Sequence, residues 1–133
     1  MTNEGSDEGD RAIRILVADD SQLICRQACN ILNQQDDMRA EPCSDPAQAL
    51  ATVARFRPDV ILQDVYMGDA SGLDLLREYK NRPDTAKAAV IMFSGDEDSA
   101  LREAAVAAGA CDYLLKSDAA QALVPMVRKH APA

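Results

Sequence analysis

The sequence is poor in basic residues relative to acidic ones, and it has no long hydrophobic run. Its 133 residues include 22 Asp and Glu against 14 Lys and Arg, so the formal net charge is −8. Direct nucleic-acid binding needs a cationic surface that displaces counterions, and this charge argues against it. No apolar run reaches the roughly 18 residues of a membrane span. Residues 1–10 lack the basic start and apolar stretch of a signal peptide, so we expect a cytoplasmic protein without membrane contact.

Metal-binding patterns of cysteine and histidine are also missing. The cysteines at positions 25, 29, 43 and 111 form no CxxC pair, and the single histidine, His130, lies near the end. This spacing excludes the usual zinc sites. We expect reduced thiols that pack as small hydrophobic side chains, with Cys25 and Cys29 on one helix face because they are four residues apart.

Short apolar segments alternate along the chain with amphipathic ones. Strands are predicted at Ile13–Ala18, Met38–Cys43, 60–64, 88–93 and 111–115. Helices are predicted at 21–34, from Asp45-Pro46 to a stop before Pro58, at Gly72–Asn81, at 98–108 and at 117–130. This alternation predicts a single α/β domain with a doubly wound, five-stranded parallel sheet and helices on both faces.

The ends of the chain and two prolines refine this prediction. We expect residues 1–11 to form a flexible acidic tail, residues 12–130 the folded domain, and residues 131–133 a C-terminal tail. Pro42 cannot donate to a strand ladder, so its strand should lie near the sheet edge. Pro125 should kink or shorten the last helix.

Polar residues stand where the predicted strands end. They are Asp19-Asp20, Asp64, Ser94 and Lys116. Because parallel strands bring their carboxyl ends to one edge, these side chains should converge in one crevice. Two like charges about 4 Å apart repel by roughly 4 kcal/mol at an effective dielectric near 20. Lys116 can offset one charge, and a hard cation such as Mg²⁺ suits the remaining carboxylates better than zinc or copper does.

Such a site suits phosphoryl transfer to a carboxylate. A carboxylate can attack phosphorus and form an acyl phosphate, with catalysis supplied mainly by positive charge and positioning. Asp64 is the expected nucleophile because it stands alone at the central strand, whereas Asp19 and Asp20 are better placed as metal ligands. Lys116 and the Ser94 hydroxyl could each contact one phosphoryl oxygen.

The combination of Asp19-Asp20, LQDVYMGDASGLDLL around Asp64, Ser94, and DYLLK ending at Lys116 resembles the receiver domain of two-component response regulators over residues 13–128. The resemblance implies the flavodoxin-like receiver fold and Mg²⁺ as cofactor. It implies these roles: Asp64 as phosphoacceptor and metal ligand, Asp20 as direct metal ligand, Asp19 acting partly through water, the Tyr66 carbonyl as a further ligand, Ser94 as the hydroxyl that reorients on phosphorylation, and Tyr113 as the aromatic that follows it.

The resemblance also implies partners. The phosphoryl donor would be a histidine kinase or a histidine phosphotransfer protein, and a downstream effector protein or domain would read the modified state; a homodimer stays open. Apart from its own phosphorylation and dephosphorylation, the chain would not be an enzyme. The segments ILQDVYM and SDPAQAL are similar to receivers attached to diguanylate cyclases, so a regulatory domain excised from a longer cyclase is one alternative.

Three positions depart from the usual receiver pattern. Gly68 stands where Pro is usual, which predicts a looser loop. Gly95 replaces the usual Ala and would ease access to Asp64. Ser117 replaces a Pro whose peptide is commonly cis, and because a cis bond before a non-proline residue costs about 2.5–4 kcal/mol, this peptide should be trans.

Other functions would make different demands on the sequence. A degenerate receiver would bind partners without phosphorylation. A metal-dependent phosphatase with an aspartyl intermediate would need a second acid where Tyr66 stands. A nucleotide-binding fold would need a glycine-rich loop after the first strand, where the sequence reads ADDSQ. Asp96, Glu97 and Asp98 are expected to stabilise a helix N-terminus, with tuning of phosphoryl lifetime by Asp96 as the alternative.

Overall fold

The computed structural model describes residues 12–132, so the predicted tail at 1–11 and the final residue, Ala133, lie outside the described residues. Within this range, five strands form one parallel sheet with the spatial order β2–β1–β3–β4–β5. Their bounds are Ile13–Ala18 (β1), Met38–Cys43 (β2), Val60–Asp64 (β3), Ala89–Ser94 (β4) and Asp112–Leu115 (β5). A small antiparallel hairpin, Tyr66–Met67 paired with Ala70–Ser71, follows β3.

Five α-helices flank the sheet in the described part of the chain. They are α1 (Gln22–Asn33), α2 (Ala49–Phe56), α3 (Gly72–Asn81), α4 (Ser99–Ala108) and α5 (Ala119–His130), with 3₁₀ turns at Pro46–Gln48 and Lys116–Asp118. Polar side chains cap three of them: Ser21 accepts from the amide of Ile24, Ser71 from Asp74 and Asp98 from Leu101. These caps satisfy amides that have no partner within the helix.

Two separate apolar cores cover the two faces of the sheet, and alternation along β1 divides them. Ile15 and Val17 join the core with α1 and α5, whereas Leu16 and Ala18 join the core with α2, α3 and α4. Burying one large apolar side chain contributes about 1.5–3 kcal/mol, so both layers are held firmly. The predicted doubly wound, flavodoxin-like α/β class is confirmed.

The strand order reverses at β1 and creates the crevice that holds the site. The chain leaves β1 for β2 on one side and returns to β3 on the other, so Val17 lies between Pro42 and Leu62. β2 is an edge strand, in keeping with the position of Pro42. Ligands of open α/β sheets bind beyond the carboxyl ends of strands at such a reversal, which here lies between β1 and β3.

The last helix differs from its prediction. Residues 116–118 form a 3₁₀ turn, and α5 begins at Ala119 rather than at residue 117. Pro125 does not shorten it, because the helix continues to His130. Leu123 and Val127 are fully buried on either side of Pro125 and hold the helix against the sheet despite the lost hydrogen bond.

The second helix also differs from its prediction. Asp45 accepts a hydrogen bond from the amide of Ala47, but it caps the 3₁₀ turn, and α2 itself begins at Ala49. α2 ends at Phe56, and Arg57 takes a left-handed conformation with φ of 55° before Pro58. No helix within residues 12–132 has both the length and the apolar character that crossing a membrane requires.

The cysteines divide into three that are buried and one that is not. Cys25, Cys29 and Cys43 pack in the interior as free thiols, as predicted. Burial raises the pKa of Cys25 to about 11 and that of Cys29 to about 12, so both stay protonated near neutral pH. Cys111 is also a free thiol, as predicted, but the expectation that it packs as a small hydrophobic side chain is wrong, because it is exposed in the segment before β5.

Candidate active site

Four strands deliver polar side chains to one edge of the sheet. Asp19 directly follows β1, Asp64 ends β3, Ser94 ends β4 and Lys116 directly follows β5. Asp19, Asp64 and Ser94 are buried, because each lies where an apolar strand leaves the interior. Residues that are distant in sequence are thereby brought to the crevice between β1 and β3.

Lys116 lies between two buried carboxylates. Its Nζ is 2.8 Å from Asp19 Oδ2 and 3.2 Å from Asp64 Oδ1. The side chain of Asp19 has no exposure, and that of Asp64 is 7% exposed. Asp20 is instead exposed, and its Oδ2 accepts a hydrogen bond of 2.8 Å from the backbone amide of Gly68. One ammonium group therefore forms ion pairs with two of the acids, and a backbone amide of the loop donates a hydrogen bond to the third.

The charges in this cluster shift the pKa values of its members. Burial, followed by the negative charge of Asp19, raises the pKa of Asp64 from 3.8 to about 6, although Lys116 opposes the shift. Burial alone would lower the pKa of Lys116, but hydrogen bonding to Asp19 and attraction by both acids raise it above its ordinary value. Burial first, and the negative charge of Asp19 second, thus destabilise the ionised form of Asp64.

Replacing Asp64 with asparagine is expected to stabilise the metal-free fold at pH 7. The wild-type pKa is raised from 3.8 to about 6 on folding, so the folded state binds more protons between these values and wild-type stability falls as pH rises through that window. One pKa unit corresponds to about 1.4 kcal/mol, which gives a gain on the order of 1–3 kcal/mol for Asp64→Asn at pH 7. Urea unfolding with EDTA at several pH values measures it.

The gain should shrink as pH falls below about 6, since wild-type Asp64 then becomes neutral as well. Asp84→Asn removes an exposed carboxylate and serves as the matched control. A metal-free Asp64→Asn variant that is less stable than wild type at pH 7 contradicts the electrostatic account.

The acidic cluster fits a hard divalent cation. Asp19, Asp20 and Asp64 each offer a carboxylate oxygen, and these three oxygens lie within 4.8 Å of one another. Among the described residues, 12–132, the buried Oδ2 of Asp19 has no hydrogen bond of standard geometry, although the Lys116 ammonium lies 2.8 Å from it. Three oxygen donors without imidazole or thiolate match the preferences of Mg²⁺.

The loop after β3 brings the helix α3 close to Asp64. The Gly72 amide donates a hydrogen bond of 2.7 Å to the Val65 carbonyl. A Cβ at Gly72 would overlap the Asp64 carbonyl oxygen and lie 2.9 Å from that of Val65. Gly68 lies in the left-handed region with φ of +62°. A proline at position 68 could neither adopt this φ nor donate to Asp20.

Ser94 and Tyr113 share a partner beside the cluster. Ser94 Oγ donates to the Asp96 carbonyl (2.8 Å) and accepts from the Asp96 amide (3.2 Å). The Tyr113 hydroxyl donates to the same carbonyl over 3.0 Å, and its ring is 5% exposed. The hydroxyl of Ser94 is thus occupied by Asp96 backbone in this state, and Tyr113 lies inward.

Sequence reasoning missed several residues that shape the site. Gln63 is fully buried within β3, and a lone amide in the apolar run VILQD was the available signal. Gly72 was placed at a helix start, but its close approach to Asp64 had no signal. The Arg102 guanidinium lies 4.7 Å from the Tyr113 ring centre and pairs with Glu97 at 3.0 Å. No sequence signal indicated the contact with Tyr113, because the two residues belong to different elements.

The described peptide bonds, including that between Lys116 and Ser117, are all trans. The trans geometry expected from Ser117 is therefore present, and Lys116 still reaches both carboxylates. Asp98 caps α4 through the Leu101 amide, as expected for an acid at a helix N-terminus. The carbonyl of Tyr66 belongs to the hairpin after β3 and its side chain is 71% exposed; its role as a ligand stays a prediction.

Solved structures of known proteins share this fold. A solved structure, the response regulator domain of Thermotoga maritima CheB, superposes with a TM-score of 0.80 at 27% identity, over 90% of this chain and 96% of that one. The Vibrio cholerae chemotaxis protein CheY4 superposes with a TM-score of 0.82 over 90% of this chain and 98% of that one; its 22% identity supports the fold alone.

Sequence relatives give the same assignment. A Thermotoga maritima protein-glutamate methylesterase/protein-glutamine glutaminase is 32% identical over 80% of this chain and 31% of its own length. The Bacillus subtilis transcriptional regulatory protein YxjL is 31% identical over 90% of this chain and 54% of its own. This chain thus spans from about a third to about half of the length of these relatives. Neither is a diguanylate cyclase, so that finer resemblance stays a prediction.

Residues 15–128 match the family described as the response regulator receiver domain, and the chain belongs to this family of two-component signalling.

Proposed function

We propose that Asp64 accepts a phosphoryl group from a histidine kinase or histidine phosphotransfer protein, and that this modification switches contacts with a downstream effector protein or domain. The observation that carries the proposal is the cluster in which Lys116 lies within 3.2 Å of both Asp19 and Asp64. It lies at the crevice where ligands of such sheets bind.

The transfer replaces one bond to phosphorus by another. A carboxylate oxygen of Asp64 forms a bond to phosphorus while the bond from phosphorus to the donor's leaving group breaks, and the leaving group keeps the electron pair. The nucleophile must be ionised, and with a pKa of about 6 Asp64 is mostly ionised at neutral pH. Lys116 is placed to offset negative charge on the phosphoryl oxygens.

The metal is part of the proposal. Mg²⁺ would be held by Asp19, Asp20, Asp64 and the backbone carbonyl of Tyr66, and when bound it supplies positive charge to the phosphoryl oxygens. The three carboxylates fit this role because their oxygens lie within 4.8 Å of one another.

The switch would use the bonds that Ser94 and Tyr113 make to Asp96. If the Ser94 hydroxyl turns to a phosphoryl oxygen, it gives up the Asp96 carbonyl at 2.8 Å. That carbonyl would then be left to the Tyr113 hydroxyl, now at 3.0 Å. Tyr113 would follow this movement, and the face around it would change for a partner. Arg102, stacked over the Tyr113 ring, would respond with it.

Partners and output complete the proposal. The chain acts as an interaction module rather than as a turnover enzyme, and its output depends on an effector that reads the modified state. A cytoplasmic location and a lack of direct nucleic-acid or membrane contact remain predictions from composition, as does the choice between a monomer and a homodimer. A cyclase domain in a longer protein remains an alternative form of the output.

The direct test is the mass of the intact protein after incubation with Mg²⁺ and acetyl phosphate. We expect one added phosphoryl group on wild type, none on Asp64→Asn and normal labelling of Asp84→Asn, whose carboxylate is exposed on another loop. EDTA should abolish labelling.

Three outcomes would overturn the proposal in different ways. Equal labelling of Asp64→Asn would place the acceptor elsewhere. A wild type that binds no Mg²⁺ at millimolar concentration and takes no label would be a degenerate receiver. Sustained hydrolysis of a generic phosphomonoester would favour the phosphatase, in spite of Tyr66 at the position of the second acid.

A further inference from the structure

A buried amide, Gln63, lies in β3 immediately before Asp64. Its side chain has no solvent exposure, and a buried amide without partners costs about 1–3 kcal/mol. Both ends of the amide are bonded. Nε2 donates to the Asp64 carbonyl at 3.1 Å and lies 3.7 Å from Met67 Sδ, whereas Oε1 accepts from the Tyr79 hydroxyl at 2.6 Å.

The direction of these bonds follows from chemistry. A backbone carbonyl can only accept, so the NH₂ end of Gln63 must face Asp64 and the oxygen end must face Tyr79. Burial raises the pKa of Tyr79 above its ordinary value, which keeps the phenol protonated as the donor. The backbone carbonyl of Tyr79 itself accepts from Thr85 Oγ1 at 2.6 Å. Gln63 therefore connects the acceptor residue to a fixed point on α3.

Gln63 contacts both ends of the segment from Asp64 to Met67, which contains the proposed phosphoacceptor and the proposed carbonyl ligand. Its NH₂ group contacts Asp64 at one end and Met67 at the other, and Tyr66 lies between them. Gly68 follows directly; its φ lies in the left-handed region, and as a glycine it can adopt a wider range of backbone conformations than other residues. The Gln63 amide therefore restrains residues 64–67 at the point where the chain leaves β3.

We propose that Gln63 is a positioning residue, which holds the Asp64 carbonyl and the segment up to Met67 in the geometry that metal binding and phosphoryl acceptance require. This inference rests on the proposed function of Asp64. Gln63 touches neither the carboxylate of Asp64 nor a reacting atom, so it acts through backbone placement. It gives the loop a restraint on the β3 side, while Gly72 restrains it on the α3 side.

The test compares three proteins: wild type, Tyr79→Phe, and the double variant Gln63→Leu/Tyr79→Phe. Tyr79→Phe removes the partner of Oε1 but keeps the bond to Asp64. The double variant replaces the polar pair by an apolar one, so the interior keeps no unpaired amide or phenol. Urea unfolding measures stability, calorimetric titration measures Mg²⁺ affinity, and amide hydrogen exchange of the metal-free proteins measures the mobility of residues 65–68.

We expect Tyr79→Phe to bind Mg²⁺ less tightly than wild type but more tightly than the double variant, because it loses the anchor on α3 and keeps the bond from Gln63 Nε2 to the Asp64 carbonyl. The double variant should bind Mg²⁺ about tenfold more weakly than wild type, as is typical when a group that orients metal ligands is lost. It should also exchange the amides of residues 65–68 faster than Tyr79→Phe does, even at equal global stability. A purely structural role would move stability and leave these two differences at zero.

Failure of this inference can be told from failure of the proposed function. If wild type binds Mg²⁺ and the double variant binds it equally well, Gln63 is not a positioning residue, and the assignment of Asp64 stands. Unchanged exchange at residues 65–68 also overturns the inference, and this result needs no metal. If wild type neither binds Mg²⁺ nor accepts a phosphoryl group, the proposed function fails and the positioning role fails with it.

Discussion

Replacing Lys116 with methionine is expected to lower the free energy of unfolding of the metal-free protein by about 3 kcal/mol at pH 7. The ammonium group lies 2.8 Å from Asp19 Oδ2 and 3.2 Å from Asp64 Oδ1, and the Asp19 side chain has no solvent exposure. Removing the cation leaves Asp19 as a fully buried carboxylate without its ion-pair partner, although its Oδ1 still accepts a hydrogen bond of 2.9 Å from the Ser21 amide. Methionine keeps most of the aliphatic volume, but it loses the ammonium group that lies 5.4 Å from the centre of the Phe93 ring.

Two further measurements identify electrostatics as the cause. Mg²⁺ should stabilise Lys116→Met more than it stabilises wild type, because the ion then compensates charge that the ammonium no longer offsets. Adding Asp64→Asn should restore part of the loss, since it removes one of the two carboxylates. Lys87→Met, at an exposed lysine, is the matched control. A Lys116→Met protein as stable as Lys87→Met without metal would contradict the charge account.

Replacing Gly72 with alanine is expected to destabilise the protein by at least about 3 kcal/mol and to impair phosphoryl acceptance. The added Cβ would overlap the Asp64 carbonyl oxygen and lie 2.9 Å from the Val65 oxygen. Both neighbours are backbone atoms at the end of β3, so relief requires moving α3 or the strand end. Overpacking against flexible side chains typically costs about 1–3 kcal/mol, and rigid backbone makes this case worse.

Gly95→Ala is the matched control for this prediction. A Cβ there meets nothing within 4 Å, so stability should stay close to that of wild type. Thermal and urea unfolding measure the two variants, and acetyl phosphate labelling measures the effect on Asp64. If Gly72→Ala is as stable as Gly95→Ala, the close approach of α3 to Asp64 does not constrain the site.

The strands and helices were predictable because their signals are local. The apolar run IRILVA, the helical spacing in 21–34 and the caps at Ser21 and Asp98 each lie within a few residues. Errors came where local signals compete with tertiary contacts. The helix α5 continues past Pro125 to His130 because Leu123 and Val127 are buried against the sheet, in spite of the low helix propensity of proline. The 3₁₀ turn at Lys116–Asp118, by contrast, buries none of its residues.

The sequence predicted which residues form the candidate site, but not which hydrogen bonds and ion pairs join them. Strand ends share one sheet edge in any parallel fold, so Asp19, Asp64, Ser94 and Lys116 could be grouped from their positions alone. That one lysine pairs with two acids, that Ser94 is bound to Asp96 backbone, and that Gly68 donates to Asp20 could not be predicted. These details depend on loop conformations and side-chain rotamers.

The sequence by itself determined the layers of the fold, the order of its elements and the chemical types of side chain at the edge, because periodicity and strand ends are properties of short segments. Only the tertiary structure decided that Gln63 reaches Tyr79 and that α3 starts against Asp64. Both contacts join elements through a close approach set by how the helix packs on the sheet. Such distances are consequences of the assembled cores, and no short segment specifies them alone.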